Sequence, residues 1–342
     1  MRFIVNPSED PYYNMAFDEF VLERMDLPSP VFYLWRNRPS VIIGMNQNAY
    51  AEVNIPYLEE KGINLVRRVT GGGAVYHDLQ NLNYTIAGRS SDLEKDYPGY
   101  LRFMVEALNS LGVNAELSGR NDIMVDGRKC SGYAKRVYKD RLMVHGTLMY
   151  NVDIHELSKA LAVPGSKLSA AGIASVRSRV ANLKDYLPNI SGIEEFKDRL
   201  FEIMSRNSEG GQDEELPLRN EQRAQVEEFA KEKFRTWEWI YGRSPKADFR
   251  SSKKFQCGTV EVSFSVNHGI ITGLRFGGDY LGNLPTSSLE ENLEGVRMSA
   301  EDILQALEGG TPAGEYFDGM KNEDILSLIM GDNHENQNTN TI

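Results

Sequence analysis

NDIMVDGRKCSGYAKRVYKDRLMVHGTLMY, residues 121–150, decides the architecture. Two apolar runs flank Asp126-Gly127, a dipeptide favoured in two-residue hairpin turns because both positions need a positive φ. A second crossing at Lys139-Asp140 extends the hairpin into a meander. The stretch therefore reads as strands of one sheet.

Upstream, RFIVN (2–6), VFYLWR (31–36), SVIIG (40–44), NLVRR (64–68) and LNYTIAG (82–88) read as further strands. PYYNMAFDEFVLERM (11–25) and YLRFMVEALNSLGV (100–113) read as helices, each with apolar residues at helical spacing. Downstream, helices are expected around 154–162, 193–206 and 219–234. The polar run RSPKADFRSSKK (243–254), with Pro245, predicts a linker over 246–254 between a large domain (1–245) and a smaller one (255–331). In the smaller one, Val260, Val262, Phe264 and Val266 alternate with polar residues, and Asn267-His268-Gly269 turns that strand into IITGLRF. The polar residues 332–342 are expected to be disordered.

Composition sets limits on function. The 342 residues suffice for two domains, and their apolar, charged and aromatic fractions are those of an ordinary globular protein. No secretory signal or long apolar run is visible, and two distant cysteines suit a reducing cytoplasm. The net charge of −11 resides in residues 279–342, which hold thirteen acidic and two basic side chains. Such a chain offers no basic face to a nucleic acid.

Chemistry concentrates around RRVTGGGAVYHD (67–78), where three glycines follow two arginines. Neither a Walker loop nor a dinucleotide fingerprint is present. Bare backbone beside guanidinium groups, whose forks match carboxylate and phosphate, leans toward an anion site. Lys129 lies just past the hairpin tip, with Asn121-Asp122 on the opposite arm. It reads as a solvated charge, an ion pair or a positioned electrostatic group. Cys130 beside it could be a thiolate, but adjacent strand residues face opposite sides, so it reads as a small core residue. His77 and His145 read first as hydrogen-bonded core histidines. SVRSRVANL (175–183) reads as a mobile basic loop, or as a helix start with exposed arginines.

In order, DPYYNMAFDEF, VFYLWRN, RRVTGGGAVYHD with NLNYT, GRNDIMVDGRKCSGYA, HGTLMYN, SVRSRVANL and TWEWIYG closely resemble the signatures of lipoate–protein ligase A. KFQCGTVEVSFSVNHGIITGLRF is similar to that family's accessory domain. The resemblance implies an α/β (α+β) fold: a biotin-ligase-like domain with a mixed sheet flanked by helices, plus a small α+β accessory domain. It implies ATP-dependent activation of lipoate to lipoyl-AMP, then transfer to a lysine of an apo lipoyl domain. The acceptors implied are 2-oxoacid dehydrogenase E2 subunits or the glycine cleavage H protein. ATP, Mg2+ and lipoate are expected, without a tightly bound prosthetic group, nucleic acid or membrane, in a cytoplasmic monomer.

By the family pattern, Lys129 is the catalytic group. Arg68, Gly71, Gly72, Gly73, Ala74, Val75, Tyr76, Asn121, Asp122, Ser131, Arg177 and Arg179 would join it around ATP and lipoyl-AMP. Trp35, Gly73, His77, Lys129 and His145 would hold lipoate, and Asp122 would meet the Mg2+ of ATP. An ATP-independent octanoyl or lipoyl transferase on the same fold, or a non-catalytic lipoate-binding module, are the competing readings.

Overall fold

The meander is present in the computed structural model, which describes residues 2–27, 29–89, 93–118, 122–161, 178–206, 215–244, 247–278 and 280–331. The strands are β1 (Arg2–Phe3), β2 (Val31–Trp35), β3 (Ser40–Ile43), β4 (Asn64–Arg67), β5 (Val75–His77), β6 (Asn81–Arg89), β7 (Ala115–Ser118), β8 (Asp122–Val125), β9 (Arg128–Tyr138) and β10 (Arg141–Met149). Asp126 and Gly127 both take positive φ, at 50° and 70°, and make the β8–β9 turn their sequence announces. Lys139, at φ 53°, turns β9 into β10.

Seven strands form one mixed sheet in the order β1-β2-β6-β10-β9-β8-β7, in which only β1 and β2 run parallel. Alternate residues point to opposite faces. Leu82, Tyr84 and Ile86 of β6 join Leu142, Val144 and Leu148 of β10 on one face. There the helices Leu93–Ser110 and Ile193–Arg206 cover them, through side chains such as Met104, Leu108, Phe196 and Leu200.

The other face is unusual for a buried sheet surface because it is polar. Tyr33, Thr85 and His145 stand in one cross-strand row, and Trp35, Asn83 and Thr147 in the next. The helix Pro11–Glu23 closes over this face and brings Asp18 to it. Asp10 caps that helix by accepting from the Tyr12 and Tyr13 amides, and Pro11 occupies the first turn, where its missing N–H costs nothing. A small second sheet, β4-β3-β5, carries the glycine segment between β4 and β5.

The chain divides into two compact units, one from Met1–Met45, Gly62–Ser158 and Ser169–Thr236, the other from Asn46–Lys61, Lys159–Leu168 and Trp237–Ile342. In the second, β11 (Ala247–Phe255), β12 (Gly258–Asn267) and β13 (Ile270–Gly278) form an antiparallel sheet. Val260, Val262, Phe264 and Val266 are buried as their alternation requires. Tyr50 donates to the Met298 carbonyl at 2.7 Å, so early chain packs within this unit.

The expected linker over 246–254 is a correction: from Ala247 onward it is strand β11, in register with β12 over nine residues. An edge strand protects itself with lysines and polar side chains, and so reads like a linker. The expected helix over 100–113 begins earlier, at Leu93. That over 219–234 is α-helical from Asn220 to Phe229 and a π-turn from Ala230 to Phe234. Residues 332–342 lie outside the described residues. Among the described residues, no helix is long and apolar enough to cross a membrane.

Candidate active site

The glycine segment is shaped from inside by arginine. Arg68 donates to the carbonyls of Ile42 (3.1 Å), Gly71 (2.6 Å) and Gly73 (2.9 Å), and to Thr70 Oγ1 (3.0 Å). The carbonyls of the loop thus wrap a guanidinium. Gly72 takes φ 97°, and a Cβ on Gly44 would stand 2.1 Å from the Gly72 carbonyl oxygen. Only glycine permits that conformation and that approach. Arg67 is fully buried and donates to the Gly44 and Met45 carbonyls.

The guanidinium groups of Arg67 and Arg68 thus donate to backbone carbonyls, and of the two only Arg68 lines the cavity described below. Burial lowers the Arg68 pKa to about 10, which still leaves it charged at neutrality. Its named partners are neutral oxygens, so they bind the group without cancelling its charge. Arg68 therefore acts as loop organiser and as a source of positive field.

A cavity opens between this loop and the polar face of the large sheet. Trp35, Arg68, Lys129, His77 and His145 line it, together with Gly72 to Val75. Gly71, Tyr76, Asp122, Ser131 and Arg179 are not among its lining residues. Tyr76 and Ser131 are buried, and Arg179 is exposed. Val180, next to Arg179, bridges to Lys129, and the Ala181 amide donates to the Lys129 carbonyl at 2.8 Å. Asn121 and Arg177 lie outside the described residues.

Lys129 reaches the cavity through an irregularity in β9. Met124 pairs with Lys129 but Ile123 pairs with Ser131, so Cys130 is an extra, unpaired residue. A bulge of this kind changes which side chains share a face. Lys129 and Gly132, three apart, consequently meet: a Cβ on Gly132 would stand 3.0 Å from Lys129 Nζ. The ammonium pairs with Asp122 Oδ1 at 2.7 Å, both side chains being about one-third exposed. Cys130 is fully buried, and burial pushes its thiol pKa to about 12. That environment opposes a thiolate.

The far end of the cavity is a hydrogen-bonded cluster that the sequence reading missed. Asp18 accepts from Tyr33 (2.7 Å) and Thr85 (2.9 Å), and its other oxygen meets His145 Nδ1 at 2.6 Å. His145 Nε2 lies 2.7 Å from Thr70 Oγ1, which in turn accepts from Arg68. Trp35 Nε1 donates to Thr85 at 3.0 Å. Met15, Ile42, Asn83, Gly132, Tyr133 and Ala134 line the cavity as well, with Gly146 and Thr147. One signal was available: Asn83-x-Thr85 and His145-x-Thr147 place polar residues at period two within apolar strands.

His77 is almost wholly buried, with Nδ1 3.1 Å from Asn37 Nδ2. Burial, then the charges of Arg68 and His145, lower its pKa from 6.5 to about 3. Between those values the unfolded chain binds a proton that the folded protein does not. Stability from this group is full above pH 6.5 and is lost as pH falls toward 3, at about 1.4 kcal/mol per unit. Urea unfolding from about pH 6.5 to 5 should show His77→Gln losing less stability than the parent. Equal slopes would contradict the burial of a neutral ring.

Comparison with known proteins places this geometry. The lipoyl protein ligase A/B catalytic domain family matches residues 10–205, and the bacterial lipoate protein ligase C-terminus family matches residues 244–329. The chain belongs to the lipoate–protein ligase family. It is 41% identical to lipoate–protein ligase 1 of Staphylococcus aureus over 333 residues, 96% of this chain and 100% of that one. It is 39% identical to lipoate-protein ligase LplJ of Bacillus subtilis over 331 residues, with the same coverage. A crystal structure of lipoate-protein ligase A bound with ATP superimposes with TM-score 0.61 at 30% identity, covering 71% of this chain and 98% of that one.

For a lipoate–protein ligase, the position of Cys130 has a direct consequence. A covalent thioester relay needs an accessible thiolate, whereas a ligase does not. Cys130→Ser is expected to keep near-normal turnover of lipoate and ATP. A dead but folded variant would restore the transferase reading.

Proposed function

We propose that this ligase joins lipoate to ATP, forming lipoyl-AMP and pyrophosphate, and then passes the lipoyl group to an acceptor lysine. In the first step a carboxylate oxygen bonds to the α-phosphorus while the bond to pyrophosphate breaks. In the second, the acceptor amine attacks the acyl carbon, AMP leaves and the amine loses a proton. Both steps bring negative charge together and are costly in a site of low dielectric. The observation that carries the reading is the bulge that sets the Lys129 ammonium over Gly132, in a cavity also lined by the charged Arg68. Lys129 is assigned to bridge the carboxylate and the α-phosphate as charge grows.

Gly71 to Tyr76 are assigned to the adenylate side of the same proposal, with Ser131, Asn121, Arg177 and Arg179. Trp35, His77 and His145 are assigned to the lipoyl chain. Mg2+ enters with ATP as part of the substrate. Asp122 is the carboxylate paired with the cavity's ammonium, and among the described residues no group of three or more candidate ligands could hold a metal alone. Phosphate oxygens and water would supply most of the ion's shell, as is usual for Mg2+. Residues 247–331, with β11 as the first strand, are assigned an accessory role, and the cytoplasm is the assigned location.

Apo lipoyl domains of 2-oxoacid dehydrogenase E2 subunits, or the glycine cleavage H protein, are the proposed acceptors. Incubation with lipoate, MgATP and each apo protein, followed by intact-mass measurement, tests the reading. One lipoyl amide per acceptor, with AMP and pyrophosphate released, is expected only when ATP is present. Transfer from an acyl carrier without ATP would replace the ligase assignment.

A further inference from the structure

The protonation of His77 is fixed by a chain of amides that begins on the helix Pro11–Glu23. Asn14 Nδ2 donates to the Ser8 carbonyl (3.0 Å) and the Arg36 carbonyl (2.9 Å). Carbonyls only accept, so the orientation of the Asn14 amide is determined. The same Nδ2 lies 2.8 Å from Asn37 Oδ1, so Asn37 must turn its own Nδ2 toward His77. At 3.1 Å that nitrogen donates to His77 Nδ1, which must then be a lone pair. The neutral ring carries its proton on Nε2.

That proton has no acceptor among the described residues, although Nε2 is buried and His77 is only 3% exposed. Asn37, on the Nδ1 edge, does not line the cavity, whereas His77 does. The opposite edge of the ring carries Nε2–H, which neighbouring atoms cover, so a ligand oxygen would reach it after a small shift of the ring or of the cavity wall. A second buried nitrogen without a partner among the described residues, Asn83 Nδ2, lines the same cavity. Asn83 stands opposite Thr147, whose Oγ1 accepts from the Gly132 amide, and Gly132 lies under Lys129 Nζ. His77 flanks Trp35, the other cross-strand neighbour of Asn83, with ring centroids 6.2 Å apart. Asn83 thus lies toward the Lys129 end of the cavity, one cross-strand row away from His145 and Thr85, and His77 approaches it across Trp35.

We infer that His77 Nε2–H hydrogen-bonds the acyl oxygen of the lipoyl group, assisted by Asn83, and that Asn37 is a positioning residue holding the ring in this tautomer. The inference rests on the adenylate-forming reading above. A neutral ring is the suitable donor here, because it adds no charge beside Lys129 and Arg68 and takes no proton from the attacking amine. A buried donor left without an acceptor is costly, and an acyl oxygen relieves that cost in the ligand-bound state. As the acyl carbon becomes tetrahedral, charge grows on this oxygen, so the bond strengthens where catalysis needs it.

The test compares two stable analogues of lipoyl-AMP, both with sulfamoyl-adenosine in place of the phosphate. One keeps the acyl carbonyl, and in the other that carbonyl is a methylene. The full-length protein is expected to bind the carbonyl compound about tenfold or more tightly. His77→Gln keeps an N–H near the Nε2 position and should keep most of this preference. His77→Asn should lose it, and so should Asn37→Asp, whose carboxylate draws the ring proton to Nδ1. Equal weakening of both analogues by His77→Asn, or an unchanged preference, overturns the inference while leaving the ligase reading standing. Binding of neither analogue by the parent protein removes both. The 15N spectrum of the unmodified protein is a check independent of variant folding: an Nε2–H tautomer is expected, and Nδ1–H contradicts the relay.

Discussion

Lys129→Ala is expected to slow lipoate-dependent pyrophosphate release by about 10²–10³-fold, the usual loss when one preorganised donor to developing charge is removed. Folding should hardly register the change. The Lys129–Asp122 pair is about one-third exposed on each side, and such a pair contributes no more than about 1 kcal/mol. Urea unfolding beside the pyrophosphate assay separates the two effects. Lys129→Arg should not restore the rate, because a planar fork differs in shape and reach from an ammonium seated over Gly132. A Lys129→Ala enzyme that releases pyrophosphate normally would place the chemistry elsewhere.

The second large effect falls on stability. Asp18 is 1% exposed and accepts from Tyr33, Thr85 and His145. Asp18→Ala strands three buried polar groups at once, and breaking such a buried cluster costs about 3–5 kcal/mol. Asp18→Asn keeps one accepting oxygen and should lose less. Because His145 and Trp35 line the cavity and both belong to this cluster, the Asn variant should also raise the KM for lipoate more than that for ATP. Denaturant titration and steady-state kinetics provide both measurements. An Asp18→Ala protein as stable as its parent would mean that the cluster contributes little.

Features set by neighbouring residues were legible in the sequence. Asp126-Gly127 is a turn in the structure, Val260 to Val266 bury alternate residues, and nine of the residues singled out in advance line one cavity. What escaped depends on residues far apart. The need for Gly44 arises only where the carbonyl of Gly72 crosses it. The inward turn of Arg68 depends on Ile42 in a neighbouring strand. Asp18, one of several polar residues in its helix, gains its purpose from strands it does not adjoin in sequence. The bulge at Cys130 leaves no compositional trace, yet it decides that Lys129 and Gly132 share a face. Strand β11 reads like a linker in sequence because edge strands carry lysines and polar side chains that discourage further pairing.

A crystal structure of the full chain with the carbonyl-containing sulfamoyl analogue tests the central claim most directly. The account predicts Lys129 Nζ drawn away from its 2.7 Å pairing with Asp122 and bonded to both the acyl oxygen and the sulfonyl group that stands in for the α-phosphate. A bound analogue with that ammonium still on Asp122, touching neither group, would contradict it.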